Sequence, residues 1–260
     1  MEEIQLTQEE NIATVTINRP KVKNAITSEM FDELQRIFID LGYRDDIRAV
    51  IITGAGDDFC SGADVSAMST SSDGPRLHQL ESMRKVGDCC LSLFNMPKVT
   101  IAKVSGVAVG AGMNLALCCD LVVASEDARF SEIFAKRGLS VDFGGSFLLP
   151  RIVGLQKAKE LVLLADIISA SEANRMGLTN YVVSQDQLDE KVLELAQKAA
   201  SGPPRALAMS KAMLNKSFSN SIQDALDQEG TSQTVSFTTK DVSEAMKAFQ
   251  EKRSPRFNGW

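Results

Sequence analysis

Two loops of small residues are the parts of this chain that could do chemistry. One is Gly-Ala-Gly at 110–112, which follows a β-branched run at 99–104 and opens a helical pattern. The other spans residues 59–64, after an apolar run at 49–53. Glycine lets a ligand approach the main chain, and the first amides of a helix are unpaired donors at its positive end. Such loops bind a polarised or anionic group, or alternatively make only compact turns.

Dinucleotide binding is the first chemistry that the glycine spacing permits. A strand, a glycine loop and a helix follow in order, and Glu126 or Asp127 stands where a ribose-binding acid is expected. The third glycine of that motif is missing, because Leu115 occupies its position. A P-loop fits less well, since no Gly-Lys-Ser/Thr follows any glycine loop.

Oxyanion stabilisation is the second chemistry, and it uses both loops together. If the amides of Ala63 and Ala111 converge, they form a two-donor oxyanion hole, which stabilises negative charge developing on a carbonyl oxygen. Neighbouring strands must then bring the two loops side by side.

Alternating strands and helices are predicted to position these loops. Residues 4–17 alternate in hydrophobicity and are divided at 9–11, which predicts a β-hairpin. Helical spacing predicts a helix from Thr27 to about Leu41, capped by Thr27 or Ser28. Residues 69–75 are predicted to form a mobile loop and 106–109 a tight turn. Further strands are predicted at 49–53, 99–104, 121–124, 128–130 and 181–183, and further helices at about 76–95, 146–153, 156–165 and 171–176.

Beyond Gln185 the predicted strands stop. The remaining pattern predicts helices near 186–200, 204–217, 221–229 and 239–252. Alternation through the first 180 residues predicts an α/β fold, and the later change predicts a helical module that packs on the α/β core or on a neighbouring subunit.

Composition and charge disfavour several classes of function. The 260 residues have a formal net charge of −6, so we expect no binding to nucleic acid or to an anionic membrane surface. No apolar run approaches the roughly 18 residues of a membrane span, and the first residues do not resemble a targeting peptide, so a cytoplasmic location is expected. His78 is the only histidine and no Cys-x-x-Cys occurs, so no metal site is expected.

One basic loop is an exception in this acidic chain. Residues 18–24, Asn-Arg-Pro-Lys-Val-Lys-Asn, carry three cations around a proline. The loop either holds a phosphate group or is a solvated turn.

Several motifs together resemble the enoyl-CoA hydratase/isomerase (crotonase) family. They lie, in family order, at 18–20, 24–25, 59–65, 106–116, 119–120, 144–145 and 249–253. The resemblance implies a crotonase-like spiral of repeated ββα units with a C-terminal helical region. It also implies an α/β core at 1–195, a helical trimerisation region at 196–260, and trimers that commonly pair into hexamers.

The resemblance implies roles for individual residues in binding an acyl-CoA thioester. The amides of Ala63 and Ala111 would donate to the thioester oxygen. Phe249 and Lys252 would approach the nucleotide end of a coenzyme A held by an adjacent subunit, or else they are a core aromatic and a solvated lysine. No cofactor is implied beyond the coenzyme A of the substrate. The residues implied along the coenzyme A chain are Lys21, Val22, Lys23, Ala25, Asp64 and Val65.

The sequence departs from the family's hydratases at two positions. Those enzymes place two glutamates around the substrate double bond, and the matching residues here are Asn114 and Phe134. Neither side chain exchanges a proton near neutral pH. Asp142 instead lies where isomerase branches carry their acid, including branches similar to the phenylacetate-pathway epoxide isomerase. Glu132, two residues before Phe134, is the reserve candidate.

A lone carboxylate suits an enoyl-CoA isomerase, because one base can take a proton from one carbon and return it to another. Apolar surroundings from Phe134, Phe143 and Phe147 are expected to raise the pKa of Asp142. The alternative for Asp142 is a helix N-cap. The alternatives for the protein are a hydratase with atypical catalytic groups and a catalytically silent acyl-CoA-binding member.

Overall fold

The computed structural model describes residues 2–65 and 76–259, with backbone only at 76–78. The predicted mobile loop at 69–75 and the side chain of His78 lie outside the described residues.

Two sheets carry the loops of interest. The strands are β1 (Ile4–Glu9), β2 (Ile12–Ile17), β3 (Ala49–Gly54), β4 (Val99–Val104), β5 (Val107–Val109), β6 (Leu121–Ser125), β7 (Arg129–Ser131), β8 (Ile168–Ser169) and β9 (Tyr181–Val183). The larger sheet has the order β1-β2-β3-β4-β6-β9, and the smaller has the order β5-β7-β8. In the larger sheet β1 and β2 form the predicted antiparallel hairpin, and the other neighbours are parallel. The buried parallel strands explain the continuous apolar runs in the sequence.

The helices confirm the predicted α/β class. They are α1 (Ser28–Tyr43), α2 (Arg76–Phe94), α3 (Ala111–Cys118), α4 (Gly145–Val153), α5 (Leu155–Leu164), α6 (Ala170–Arg175), α7 (Leu188–Ala200), α8 (Pro204–Lys216), α9 (Ile222–Phe237) and α10 (Lys240–Glu251). Thr27 caps α1, since its hydroxyl accepts a hydrogen bond from the amide of Met30 at 3.3 Å.

Two local predictions were wrong. The turn predicted at 106–109 contains strand β5, because Val107–Val109 pair in parallel with β7 and leave turn conformations only to Gly106 and Gly110 at either end. The helix predicted at 221–229 continues to Phe237 as α9. Gly230 does not end it, because one helical glycine costs only about 1 kcal/mol.

Apolar side chains cover both faces of the larger sheet. On one face α1, α2 and α3 enclose the main core, with Phe38, Phe59 and Phe130 fully buried. On the other face α7 packs against β3, β4 and β6. The predicted boundary between residues 195 and 196 falls inside α7, whose buried face continues to Ala200. The predicted role of 196–260 in trimerisation stays a prediction.

In the described part of the chain, no helix combines the length and the apolarity that a bilayer crossing requires.

Two leucines on α7 test the packing of this helix on the sheet. Leu195 is 8% exposed and Leu193 is 40% exposed. We expect Leu195→Ala to lower the free energy of unfolding by about 2–3 kcal/mol, because it leaves a cavity between α7 and the sheet. Leu193→Ala should cost less than about 1 kcal/mol. Equilibrium urea unfolding of both variants checks this, and equal losses would contradict the assigned orientation of α7.

Candidate active site

The loop at 59–64 lies against β5 and the start of α3. The amide of Cys60 donates to the carbonyl of Val107 at 2.8 Å, and the amide of Val109 donates to the carbonyl of Cys60 at 3.0 Å. A Cβ built on Gly62 would lie only 3.4 Å from the amide nitrogen of Ala111. The two small-residue loops predicted from the sequence are therefore neighbours in the fold.

The backbone geometry around Ala63 leaves its amide unused. The amide of Ile26 donates to the carbonyl of Gly62 at 2.9 Å, and the amide of Asp64 donates to the carbonyl of Ile26 at 2.8 Å. In this parallel bridge, the groups that flank Ala63 face Ile26, so the N–H of Ala63 points to the other side.

Ala111 begins α3, so its amide has no acceptor within the helix. Among the residues that the structure describes, neither the Ala63 amide nor the Ala111 amide donates a hydrogen bond. Two unused donors on adjacent loops are what an oxyanion hole requires. Their joint action on one oxygen stays a prediction.

Gly112 is needed for this close approach. A Cβ at this position would lie 2.3 Å from the carbonyl oxygen of Cys60, well inside van der Waals contact. The glycine pattern of 110–112 thus serves the docking of one loop on the other as much as the approach of a ligand.

Two buried polar side chains, Asn114 and Glu132, meet the main chain of the half-buried Asp142 beside the first turn of α3. The amide nitrogen of Asn114 donates to Oε2 of Glu132 at 3.3 Å and to the backbone carbonyl of Asp142 at 3.0 Å. Asn114 and Glu132 are fully buried. Asn114 Oδ1, Glu132 Oε1 and Asp142 Oδ1 are each buried without a hydrogen-bond partner in the described part of the protein.

Burial shifts both acids toward their neutral forms. Desolvation raises the pKa of Asp142 from 3.8 to about 6. Desolvation also raises the pKa of Glu132 from 4.5 to about 8; the hydrogen bond from Asn114 lowers it, and the charge of Asp142 adds to the rise. An acid that titrates near neutral pH suits general acid–base chemistry.

Asp142 is not an N-cap, so that alternative was wrong. Helix α4 begins after Gly144, which has a left-handed conformation and provides no side-chain cap. Buried Phe143 and Phe134 supply the expected apolar surroundings. Phe147, in contrast, is 40% exposed and packs against Phe94 and Arg151.

The basic loop is fastened to the loop at 59–64. Asn24 is fully buried, accepts from the amide of Arg19 and donates to the carbonyls of Ala55 and Asp58 at 2.9 and 2.6 Å. Its role was missed because an Asn-Ala pair in a loop carries no signal of burial. Ser61 adds a second attachment, since its amide donates to the carbonyl of Lys23 at 2.9 Å.

The structure brings most of the predicted coenzyme A contacts together. Lys21 and Val22 are exposed on a short 3-10 helix, and the Lys23 ammonium lies 3.1 Å from Asp58 Oδ2. Val65 is 46% exposed and follows Asp64, which is bonded to Arg19 of the basic loop.

Ala25 and Asp64 have structural partners in this region. Nη1 of Arg19 donates to the carbonyl of Ala25 at 2.7 Å and to Oδ2 of Asp64 at 2.8 Å. Asp64 therefore holds the basic loop in place, a role that its position in the motif does not reveal.

Phe249 and Lys252 are far in sequence from the other predicted coenzyme A contacts. Phe249 lies on α10, and Lys252 is the residue that ends this helix. Phe249 is 84% exposed, so the alternative of a core aromatic is wrong within this chain. Lys252 is exposed at the end of α10 in a left-handed conformation. Their predicted contact with a coenzyme A of an adjacent subunit stays a prediction.

Comparisons with known proteins agree with this arrangement. A family model described as enoyl-CoA hydratase/isomerase matches residues 7–259. The chain is 35% identical to the 1,2-epoxyphenylacetyl-CoA isomerase of Escherichia coli, over 96% of each chain. It is 37% identical to a short-chain-enoyl-CoA hydratase of Clostridium acetobutylicum, over 95% of this chain and 94% of the relative. The crystal structure of an enoyl-CoA hydratase of Bacillus anthracis superimposes with a TM-score of 0.94 at 30% identity, over 100% of both chains.

Gly112→Ala tests the contact between the two loops. We expect a loss of about 2–3 kcal/mol in the free energy of unfolding, because the added methyl group collides with the Cys60 backbone. Gly87→Ala in α2 is the matched control, since its Cβ would meet nothing within 4 Å. The control should be neutral or stabilising by up to about 1 kcal/mol. Chemical denaturation compares them, and equal stabilities would refute the tight contact.

Proposed function

The chain belongs to the enoyl-CoA hydratase/isomerase family, and from this premise we propose that it is an isomerase that moves the double bond of an enoyl-CoA. One observation carries the preference for isomerisation. By the family resemblance Asn114 and Phe134 stand where the hydratases have their glutamates, while Asp142, whose backbone carbonyl accepts from Asn114, has a buried carboxyl oxygen without a partner, as far as the structure is described.

The proposed reaction begins at the thioester. Its carbonyl oxygen accepts hydrogen bonds from the amides of Ala63 and Ala111, which stabilise the enolate form. This lowers the pKa of the proton on the carbon next to the thioester. The ionised Asp142 removes that proton from a β,γ-enoyl-CoA, and the electron pair delocalises onto the thioester oxygen.

The same carboxyl completes the reaction. Protonated Asp142 returns the proton to the γ-carbon, so the double bond moves to the α,β position and no atom is gained or lost. With the pKa of Asp142 raised to about 6, its conjugate acid returns the proton readily near neutral pH. Because one carboxyl serves both carbons, the α-carbon and the γ-carbon must present the same face of the substrate to Asp142.

The coenzyme A part of the substrate is proposed to lie along the basic loop. Lys21 and Lys23 supply positive charge for phosphate groups in a chain of net charge −6. Val22, Ala25 and Val65 supply apolar and backbone contacts. Asp64 acts through its ion pair with Arg19, which keeps this loop beside the oxyanion hole.

We also propose self-association as a trimer or a dimer of trimers. Helices α8–α10, with the turn between α8 and α9, expose large apolar side chains that a second copy would cover. The most exposed are Leu214, Phe218, Ile222, Phe237 and Phe249, at 70, 70, 78, 71 and 84%. Phe249 and Lys252 would then contact the coenzyme A of the adjacent subunit.

A hydratase remains the second candidate, because Glu132 supplies another carboxyl in the same cluster. Two acids could hold and deprotonate a water molecule. The hydratase relative from Clostridium acetobutylicum, at 37% identity, also supports this candidate. The third candidate is a catalytically silent member of the family that binds acyl-CoA without converting it.

Asp142→Asn tests the isomerase. We expect the rate of conversion of a β,γ-enoyl-CoA to the α,β isomer to fall about 100- to 10,000-fold, because the amide cannot take the proton. Product analysis by mass-resolved chromatography and the ultraviolet absorbance of the conjugated thioester measures it. Asp127→Asn, at an exposed turn, is the matched control and should keep full activity.

Each alternative has its own result in the same assay. Formation of a β-hydroxyacyl-CoA from the α,β isomer, without isomerisation, would establish the hydratase. Binding of either thioester without turnover would establish the silent member. Full isomerase activity in Asp142→Asn would exclude Asp142 as the base.

The pH profile gives a further check on Asp142. Because its pKa is raised to about 6, the carboxyl is protonated and inactive as a base below that pH. We expect kcat/KM to rise as the pH passes through about 6 and to reach its maximum by about pH 7. Steady-state rates at a series of pH values measure this. A rise centred near 4, the ordinary range of an aspartate, would mean that Asp142 is solvated or is not the base.

A further inference from the structure

Glu132 is a buried acid that the proposed reaction does not use. It follows β7, is fully buried, and precedes a 3-10 helix at Ile133–Arg137. Its carboxyl accepts no capping hydrogen bond from the amides of that helix. A carboxyl in such a place is costly to ionise unless a cation or several donors compensate it.

Asn114 joins Glu132 to Asp142. A single nitrogen, Nδ2 of Asn114, donates to Oε2 of Glu132 at 3.3 Å and to the carbonyl of Asp142 at 3.0 Å. The Asn114 amide has little room to move, because it packs so closely on Gly145 that a Cβ there would lie 2.5 Å from this nitrogen. One amide therefore links the carboxyl of Glu132 to the main chain at Asp142, which places the two acids in one neighbourhood. Glu132 Oε1 and Asp142 Oδ1 are both buried and unpartnered within the described residues.

Three cations on the elements around Glu132 have contacts with other residues. Lys136 lies 3.5 Å from Asp166 at the surface, and Lys157 pairs with Glu160 on α5. Arg151 of α4 stacks on Phe147. The other titratable groups nearby are the exposed Arg137 and Lys159 and the buried thiols of Cys90 and Cys118, which lie 3.9 Å from each other.

We propose that Glu132 and Asp142 form a carboxyl pair that holds one proton in the working enzyme, with Glu132 as its neutral, positioning member. Two carboxylates in one apolar site cannot both ionise at low cost, so the pair keeps a proton. Glu132 is the more buried member and keeps it, while Asp142 is left charged to act as the base. The use of the pair in catalysis rests on the isomerase proposed above.

Loss of that proton should stop the reaction. An ionised Glu132 would be a second charge without a counterion among the described neighbours, and hydration of this charge would displace Asn114 and the backbone at Asp142. The pair is therefore competent with one proton and incompetent with none or two, which gives a bell-shaped dependence of kcat/KM on pH.

Glu132→Gln tests the proposal, because glutamine still accepts the hydrogen bond from Asn114 but cannot ionise. We expect wild-type kcat/KM to fall at least tenfold above about pH 8, and Glu132→Gln to keep its rise through about pH 6 without that fall. Glu126→Gln, at an exposed position, is the matched control and should keep the wild-type profile. A fall above about pH 8 that persists in Glu132→Gln would overturn the proposal.

Thermal unfolding tests the pair independently of any activity. Burial raises the pKa of folded Glu132 above its unfolded value, so its contribution to stability is complete at low pH and is lost as the pH rises toward about 8. The melting temperature of Glu132→Gln should therefore increase relative to wild type by several degrees between about pH 5 and about pH 9. If the melting temperatures of the two proteins changed in parallel with pH, the proposal that folded Glu132 is neutral would be overturned.

The coupling between the two acids has its own signature. In an Asp142→Asn background, the stability difference caused by Glu132→Gln should develop at lower pH, because the charge that opposes ionisation of Glu132 is gone. An unchanged midpoint would show that Glu132 is buried but not paired. If Asp142→Asn instead retained isomerase activity while this shift occurred, the proposed function would fail and the pair would stand.

Discussion

The candidate site depends on one backbone contact, the docking of Cys60 between β5 and the start of α3. Two hydrogen bonds tie Cys60 to Val107 and Val109, and the carbonyl of Cys60 fills the space that a side chain at Gly112 would need. The loop that carries Ala63 is thereby held against the helix that begins at Ala111. The backbone itself provides both donors, so their position is fixed by strand pairing and packing rather than by side-chain rotamers. Preorganised donors of this kind pay no reorganisation cost during a reaction.

The same loop also holds the basic segment at 18–24 in place. Gly62 and Asp64 bond to Ile26 by their backbones, Ser61 bonds to Lys23, and the Asp64 carboxylate bonds to Arg19. The basic segment thus follows the oxyanion loop rather than forming an independent surface. In a chain of net charge −6, this places local positive charge next to the loop that carries Ala63.

Sequence patterns predicted the elements better than the contacts between them. The hairpin, the buried strands and most helices follow from periodicity and caps, because these depend on residues within a few positions of each other. Strand β5 was mistaken for a turn because its three residues pair only with distant segments, β7 and Cys60. The roles of Asn24 and Asp64 were missed for the same reason, since their partners lie in loops that only the fold brings near. Ala63, Ala111 and Asp142 could be proposed from the sequence because family motifs encode such distant contacts indirectly.

The acids illustrate how a site can change its chemistry while its framework stays the same. Asn114 lies on α3, where it can only donate and accept hydrogen bonds, and Phe134 packs beside Gly110. In the proposed isomerase, proton transfer instead falls to Asp142, with Glu132 held nearby by the same Asn114 amide. An asparagine bonded to the carboxyl of one acid and to the main chain of the other links them without adding a charge, and the deeper burial of Glu132 can separate their pKa values. A site with two glutamates around the double bond would need solvent or substrate to keep both ionised. The cluster seen here needs neither, because one of its acids can remain neutral, and a single mobile proton is all that an allylic shift requires.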